Sequence, residues 1–239
     1  MTLYFTHEEL SYLAKKFGYK HLEGVDLVKF KDKVCEASLL EKGYLFPYNK
    51  TYEMSNDVRL LFSTWVNVRY TLVRDQFISD DHVFALLANK ERILTYSFHE
   101  GNIQVSLCDF SPEIMDKLMT DYLDVQECDT PSYGFNITFA GKEYLSLFAG
   151  KMTSEQIAGK CGISVQDVEL IKKTLADENS TSFIVQDVVE DIGCMGTFMR
   201  YADGYIMVKH IVPNNDLDAQ KVIIVKGSAQ DIVDSVYIL

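Results

Sequence analysis

The stretch Met152–Leu175, MTSEQIAGKCGISVQDVELIKKTL, decides how the rest of the chain is read. It reads as two short helices joined by a tight turn. Thr153 or Ser154 stands where a hydroxyl can accept a hydrogen bond from an orphan amide at a helix start. Ile157, Ala158 and Cys161 make an apolar side, and Gly162 permits a turn that a Cβ would obstruct. Ser164 then caps a second helix, in which Val165, Val168, Ile171 and Leu175 recur at the three-to-four residue period. The pattern fits a helix-turn-helix, so a DNA-binding regulator is one reading. A recognition helix, however, meets phosphates with cations and reads base edges with polar donors. Here the outward face would carry Val165, Gln166, Glu169 and Leu170 with Asp167 beside them, while Lys160, Lys172 and Lys173 only balance Glu155, Asp167 and Glu169. A helix pair that packs, or that binds a protein partner, is the stronger reading.

The whole chain supports it. A net charge of −12 over 239 residues opposes binding to nucleic acid or anionic lipid, because the phosphate backbone dominates such affinities. An apolar fraction of 47%, with 4 Pro and 13 Gly, is that of a well-buried globular protein without disordered tracts. The opening MTLYFTHEEL lacks the basic region and continuous apolar run of a secretory signal, and no segment approaches the ~20 apolar residues that span a bilayer. Five scattered cysteines, with no Cys-x-x-Cys pair, read as reduced thiols. A cytoplasmic location with no membrane insertion is expected.

In chain order, Thr6-His7-Glu8-Glu9 is a capping box, and Leu10, Leu13, Ala14 and Phe17 form the stripe of the helix behind it. Lys33 to Lys42 reads as a second helix, and Ser55 caps a third with Val58, Leu61, Phe62 and Trp65 on one face. The period then falls to two. Arg69–Arg74, His82–Ala88, Ile93–Phe98 and Ile103–Cys108 are expected strands, the last three separated by turns at Asn89-Lys90-Glu91 and Glu100-Gly101-Asn102. Pro112 opens a helix, and Asp124 to Tyr133, with Pro131, reads as a linker. The order then repeats: a helix at Lys142–Ala149, the helix pair, strands at Ser182–Val189, Met195–Tyr201, Tyr205–Val212 and Lys221–Val225, and a closing helix capped by Ser228. The run Val105–Leu118 matches Val222–Ser235, and Phe5–Lys16 matches Phe139–Lys151, which indicates an internal duplication. The expected fold is α+β and quasi-two-fold, with a mostly antiparallel central sheet flanked by helices. Residues 1–123 and 134–239 would be its halves, joined by a linker at 124–133 into one compact unit.

Catalytic signatures are weak. The five histidines have no metal-ligand spacing, and glycine loops that cradle phosphate are absent. Gly193-Cys194-Met195-Gly196 has the look of a nucleophile loop, but no base is positioned beside it, and a buried cysteine in a hairpin turn explains it better. Acidic pairs such as Glu8-Glu9, Asp80-Asp81 and Glu190-Asp191 fall at expected turns and caps. No enzyme, metal or cofactor is expected.

Several stretches together resemble the EspG family of type VII (ESX) secretion chaperones. They are Phe5-Thr-His-Glu-Glu-Leu-Ser-Tyr-Leu13 with Phe17-Gly18, Ser38-Leu-Leu-Glu-Lys-Gly-Tyr44, the meander ending at Asp109-Phe-Ser-Pro, Gly162-Ile-Ser-Val-Gln-Asp-Val168, Ser182-Phe183, and the strand pair from Met195 to Val208. The chain resembles a divergent member, over nearly its whole length. The resemblance implies a quasi-two-fold α+β fold and a chaperone or adaptor that keeps a helical secreted substrate soluble and export-competent. It also implies the export ATPase as a further partner to test. A binding surface is expected where the 153–175 helix pair meets a sheet face: Gln166, Glu169, Leu170 and Lys173 from the helix, with Phe183, Val185, Phe198 and Tyr201 from the strands.

Overall fold

Each half of the chain opens on a strand that runs straight into a helix. The computed structural model describes residues 1–22, 24–75, 84–99, 101–126, 128, 133–177, 179–187, 190–202, 204–214 and 216–237. Two compact units result, residues 1–71 with 78–111 and residues 72–77 with 112–239.

In the first unit, β1 (Thr2–Thr6) leads into α1 (His7–Lys16) through the expected box. The Thr6 hydroxyl accepts from the Glu9 amide, and the Glu9 carboxylate accepts the Thr6 amide at 2.8 Å. Helix α2 (Asp32–Glu41) follows, then an unforeseen hairpin of β2 (Leu45–Tyr48) and β3 (Thr51–Met54), and α3 (Asn56–Val66), capped by Ser55. Asn49 and Lys50 both have positive φ, as a two-residue hairpin turn that matches strand twist requires. After β4 (Tyr70–Asp75) come β5 (Phe84–Ala88), β6 (Arg92–His99) and β7 (Asn102–Asp109). Strands β5, β6 and β7 form an antiparallel meander, and β1 pairs with β7 on its outer side. Phe5, Leu10, Leu13, Phe62 and Trp65 fill the core, where Trp65 stacks on Tyr96 with ring centroids 5.4 Å apart. Gly24, at φ +73°, passes so close to Tyr96 that a Cβ would meet its hydroxyl.

The second unit repeats the plan. Helix α4 (Pro112–Leu123) packs on α8 (Ala229–Tyr237), and β8 (Phe135–Ala140) runs into α5 (Gly141–Phe148). The helix pair is α6 (Ser154–Cys161) and α7 (Val165–Ala176). Strands β9 (Thr181–Asp187), β10 (Ile192–Tyr201), β11 (Gly204–Pro213) and β12 (Lys221–Gly227) form an antiparallel meander. β8 pairs with β12 on its outer side, as β1 does with β7 in the first unit. Both halves thus run strand, helix, further helices, meander, closing helix, with the first strand beside the last. This is the α+β, duplicated, antiparallel architecture that the sequence implies. Of the expected elements, residues 82–83, 100, 127, 129–132 and 188–189 lie outside the described residues, as do Asp80-Asp81.

One local expectation fails. Gly193–Gly196 is the interior of β10 and not a turn. Cys194 is buried there, and burial pushes its thiol up to about 11, the opposite of an activated nucleophile.

Candidate partner-binding surface

The helix pair is built by local hydrogen bonds. The Thr153 hydroxyl accepts the Gln156 amide and the Gln156 side chain reciprocates, so Thr153 and not Ser154 is the cap of α6. Gly162 ends that helix at φ +69°. Ser164 and Asp167 close a second box at the start of α7. Ile157, Ala158 and Val168 form a small core with Phe148, Met152, Cys161 and Ile163 around it. Ile171 enters a larger one with Phe139, Tyr144, Leu147, Ile206, Val208, Val222 and Ile224. The pair is therefore fastened to the sheet along β11, β12 and β8.

A buried ion pair fixes its position. Lys226 of β12 donates to Asp167 Oδ1 at 2.6 Å. Burial pushes the Asp167 carboxyl upward, but the bonds from Lys226 and Ser164 outweigh it and hold the group below its ordinary value. The Lys226 ammonium also lies 5.4 Å from the Tyr201 ring and 5.6 Å from the Tyr133 ring. Between the two helices, Ser154 donates to Glu169, and Lys172 donates to Ser154 at 2.6 Å.

The expected site residues separate into three groups. Gln166, Glu169 and Lys173 are exposed along α7, and Leu170 is half-buried against the larger core. Tyr201 is half-buried and braces Lys226. Phe183, Val185 and Phe198 are buried, which corrects their expected place on an open face. They project to the other side of the sheet with Gly196 and Lys209, the side on which α8 packs. There the Phe183, Phe198 and Tyr205 rings follow one another at 6.2 Å, and the Phe183 ring lies over Gly196 where any Cβ would collide with it. Lys209, fully buried on this side, donates to the Ser235 carbonyl in the last turn of α8 at 2.7 Å.

The open face is the alternate set. Ile184 of β9 faces Met195 of β10 across the ladder, and they are 46% and 57% exposed. Next to them the Ser182 and Thr197 hydroxyls lie 3.2 Å apart. The same face is covered by α5 and α7 over β11, β12 and β8, so the uncovered strip adjoins α7. An exposed apolar pair on the sheet face that carries α7, with Gln166, Glu169 and Lys173 exposed on that helix, offers both an apolar seat and polar groups to a partner. Period-two alternation marks both sets in the sequence; it does not say which one α8 will cover.

No protein-family model matches the chain, and no curated protein matches it. Its structure is similar to that of the Mycobacterium tuberculosis type VII secretion system chaperone EspG5, solved in complex with the PE25-PPE41 dimer. The two are 12% identical, with a TM-score of 0.64, over 99% of this chain and 94% of that one. The chain has the fold of the EspG5 chaperone, the fold that its sequence resemblance implies.

Proposed function

We propose that this protein is a cytoplasmic chaperone of type VII secretion that binds a helical secreted substrate and keeps it soluble for export. The observation that carries the reading is the exposed Ile184–Met195 pair beside the polar side of α7, in a chain with the EspG5 fold. EspG5 was solved with a PE25-PPE41 dimer bound, and a partner of that kind is what this surface would receive. Secretion substrates that expose apolar surface aggregate unless it is covered, and an apolar seat with a polar rim covers it reversibly. A few central contacts should dominate the affinity. The DNA-binding reading is weaker, because Lys172 is engaged with Ser154 and Glu169, and Lys226 with Asp167.

The test is affinity capture from the native host followed by mass spectrometry, for the wild type and for Met195→Lys with Ile184→Lys. Wild type should recover small helical secreted proteins, and the export ATPase is a further partner to look for. The double variant should lose them at an unchanged melting temperature, since both side chains are exposed. Recovery of DNA or of metabolic enzymes alone would overturn the function. Undiminished capture by the double variant would overturn the surface.

A further inference from the structure

The two edge strands of the duplicated plan end their sheets differently. In β1 the main-chain groups of Thr2, Tyr4 and Thr6 point away from β7, because Met1 exchanges hydrogen bonds with Leu107 and the ladder alternates from there. This outward row is capped at Tyr4 and Thr6. The Tyr4 amide donates to Tyr44 Oη at 3.1 Å, the Tyr4 carbonyl accepts from Lys42 Nζ at 3.2 Å, and the Thr6 amide donates to Glu9. Such side-chain capping closes an edge to further strands.

β8 occupies the equivalent position on β12 and has no such caps. Gly141 donates to the Gln220 carbonyl at 2.8 Å, so by the same alternation Asn136, Thr138 and Ala140 point their amides and carbonyls away from β12. Among the described residues, no side chain caps the outward groups of Asn136 or Thr138, and the Ala140 carbonyl serves the first turn of α5. Ala140 stands at the N-cap of α5 without a side-chain cap, where Thr6 caps α1 in the first half. All three residues are exposed. The strand FNITFA carries no charge and no proline, the usual guards of an open edge.

Its sequence is also self-complementary. In an antiparallel pair centred on Thr138, Thr138 faces Thr138 of a second copy, and Asn136 faces that copy's Ala140. The outward groups of Thr138 and Asn136 then find partners. Half-buried Ile137 falls opposite Phe139 of the other copy, an aromatic pairing with a β-branched residue, and Thr138 opposite threonine is likewise a favourable cross-strand pair. The exposed Tyr133 and Leu145 flank the strand in sequence and add apolar surface on either side of it.

We propose that the open edge of β8 pairs antiparallel with β8 of a second copy of this chain, about Thr138, to give a two-fold dimer. A single strand pair buries less than a standard stable interface, so the dimer is reversible and concentration-dependent. Two copies that each carry a net charge of −12 repel, so added salt strengthens it. β8 and β9 are separated by three strands in the second unit's sheet, so pairing leaves the Ile184–Met195 strip free.

Sedimentation velocity of the full chain over a wide concentration range, at low and high salt, tests this. Wild type should shift from monomer to dimer with concentration, at lower concentration in high salt. Thr138→Lys sets like charges face to face at the two-fold axis, and Thr138→Pro deletes an outward amide that β12 does not use. Both should stay monomeric, and the lysine variant should keep the wild-type melting temperature. A wild type that is monomeric throughout, or a dimer that survives in both variants, overturns the proposal. If wild type stays monomeric and Thr138→Lys instead loses captured partners, the edge belongs to an extended segment of another protein, and self-pairing is wrong.

Discussion

Glu9 and Asp167 occupy the same place in their own helices, one in each half. Each is the third residue of a helix, each closes a capping box, and each accepts a hydrogen bond from a lysine, Lys42 at 2.7 Å and Lys226 at 2.6 Å. What differs is the reach of the lysine. Lys42 comes from the end of α2, is 32% exposed, and also bonds the Tyr4 carbonyl on the β1 edge. Lys226 comes from the sheet itself and is 15% exposed. The first pair joins helix to helix with its carboxylate buried and its lysine partly open to solvent, and the second pins a helix to a strand with both partners largely buried. An identical local signature has thus acquired two tertiary roles, and depth sets how much each is worth.

The contrast is sharpest under substitution. Asp167→Ala leaves Lys226 buried without its counter-ion and removes half of a capping box, so it should cost about 3 kcal/mol in chemical denaturation. Glu9→Gln keeps the shape of the side chain, and Lys42 can turn to water, so about 1–2 kcal/mol is expected. Equal losses would remove depth as the deciding factor. Thr153→Ala removes a cap that serves its own helix only, and about 1 kcal/mol should be lost. A much larger loss would mean that Thr153 does more than cap α6.

Acid tests the same pair from the other side. The folded Asp167 carboxyl titrates below its ordinary value near 3.8, so below that value the unfolded chain takes up the proton first. The stabilisation by this group is therefore complete above 3.8 and is lost as pH falls through the lower, folded value. The stability gap between wild type and Asp167→Ala should be constant near neutrality and shrink in acid. A gap that grew in acid would reverse the assignment.

The capped helices were legible in the sequence because a box closes within three residues. Thr6, Ser55, Ser164 and Ser228 act where the local pattern puts them. The duplication was legible for the same reason, since its matching ends are strand-to-cap junctions. The β2–β3 hairpin was hidden by Pro47 within a strand and by Lys50 where glycine is the usual turn residue. β1 and β8 were hidden because each is short and is read as the lead-in to the helix it joins. In the candidate surface, Gln166, Glu169 and Lys173 lie open as their helical spacing indicates. Phe183, Val185 and Phe198 do not. Bulk suggested a binding face, but the choice between odd and even positions is made by α8, which lies far along the chain.

The placement of β1 and β8 bears on the order in which the protein is made. Thr2 pairs with Ser106 and Phe139 with Val222, so each half opens with the strand whose partner leaves the ribosome last. Closing such long loops costs entropy before any ladder repays it, which makes folding slow compared with a simple meander. Until β7 and β12 emerge, β1 and β8 wait with their inner edges unpaired, the condition under which nascent chains associate wrongly. Each half finishes folding at the strand with which its synthesis began.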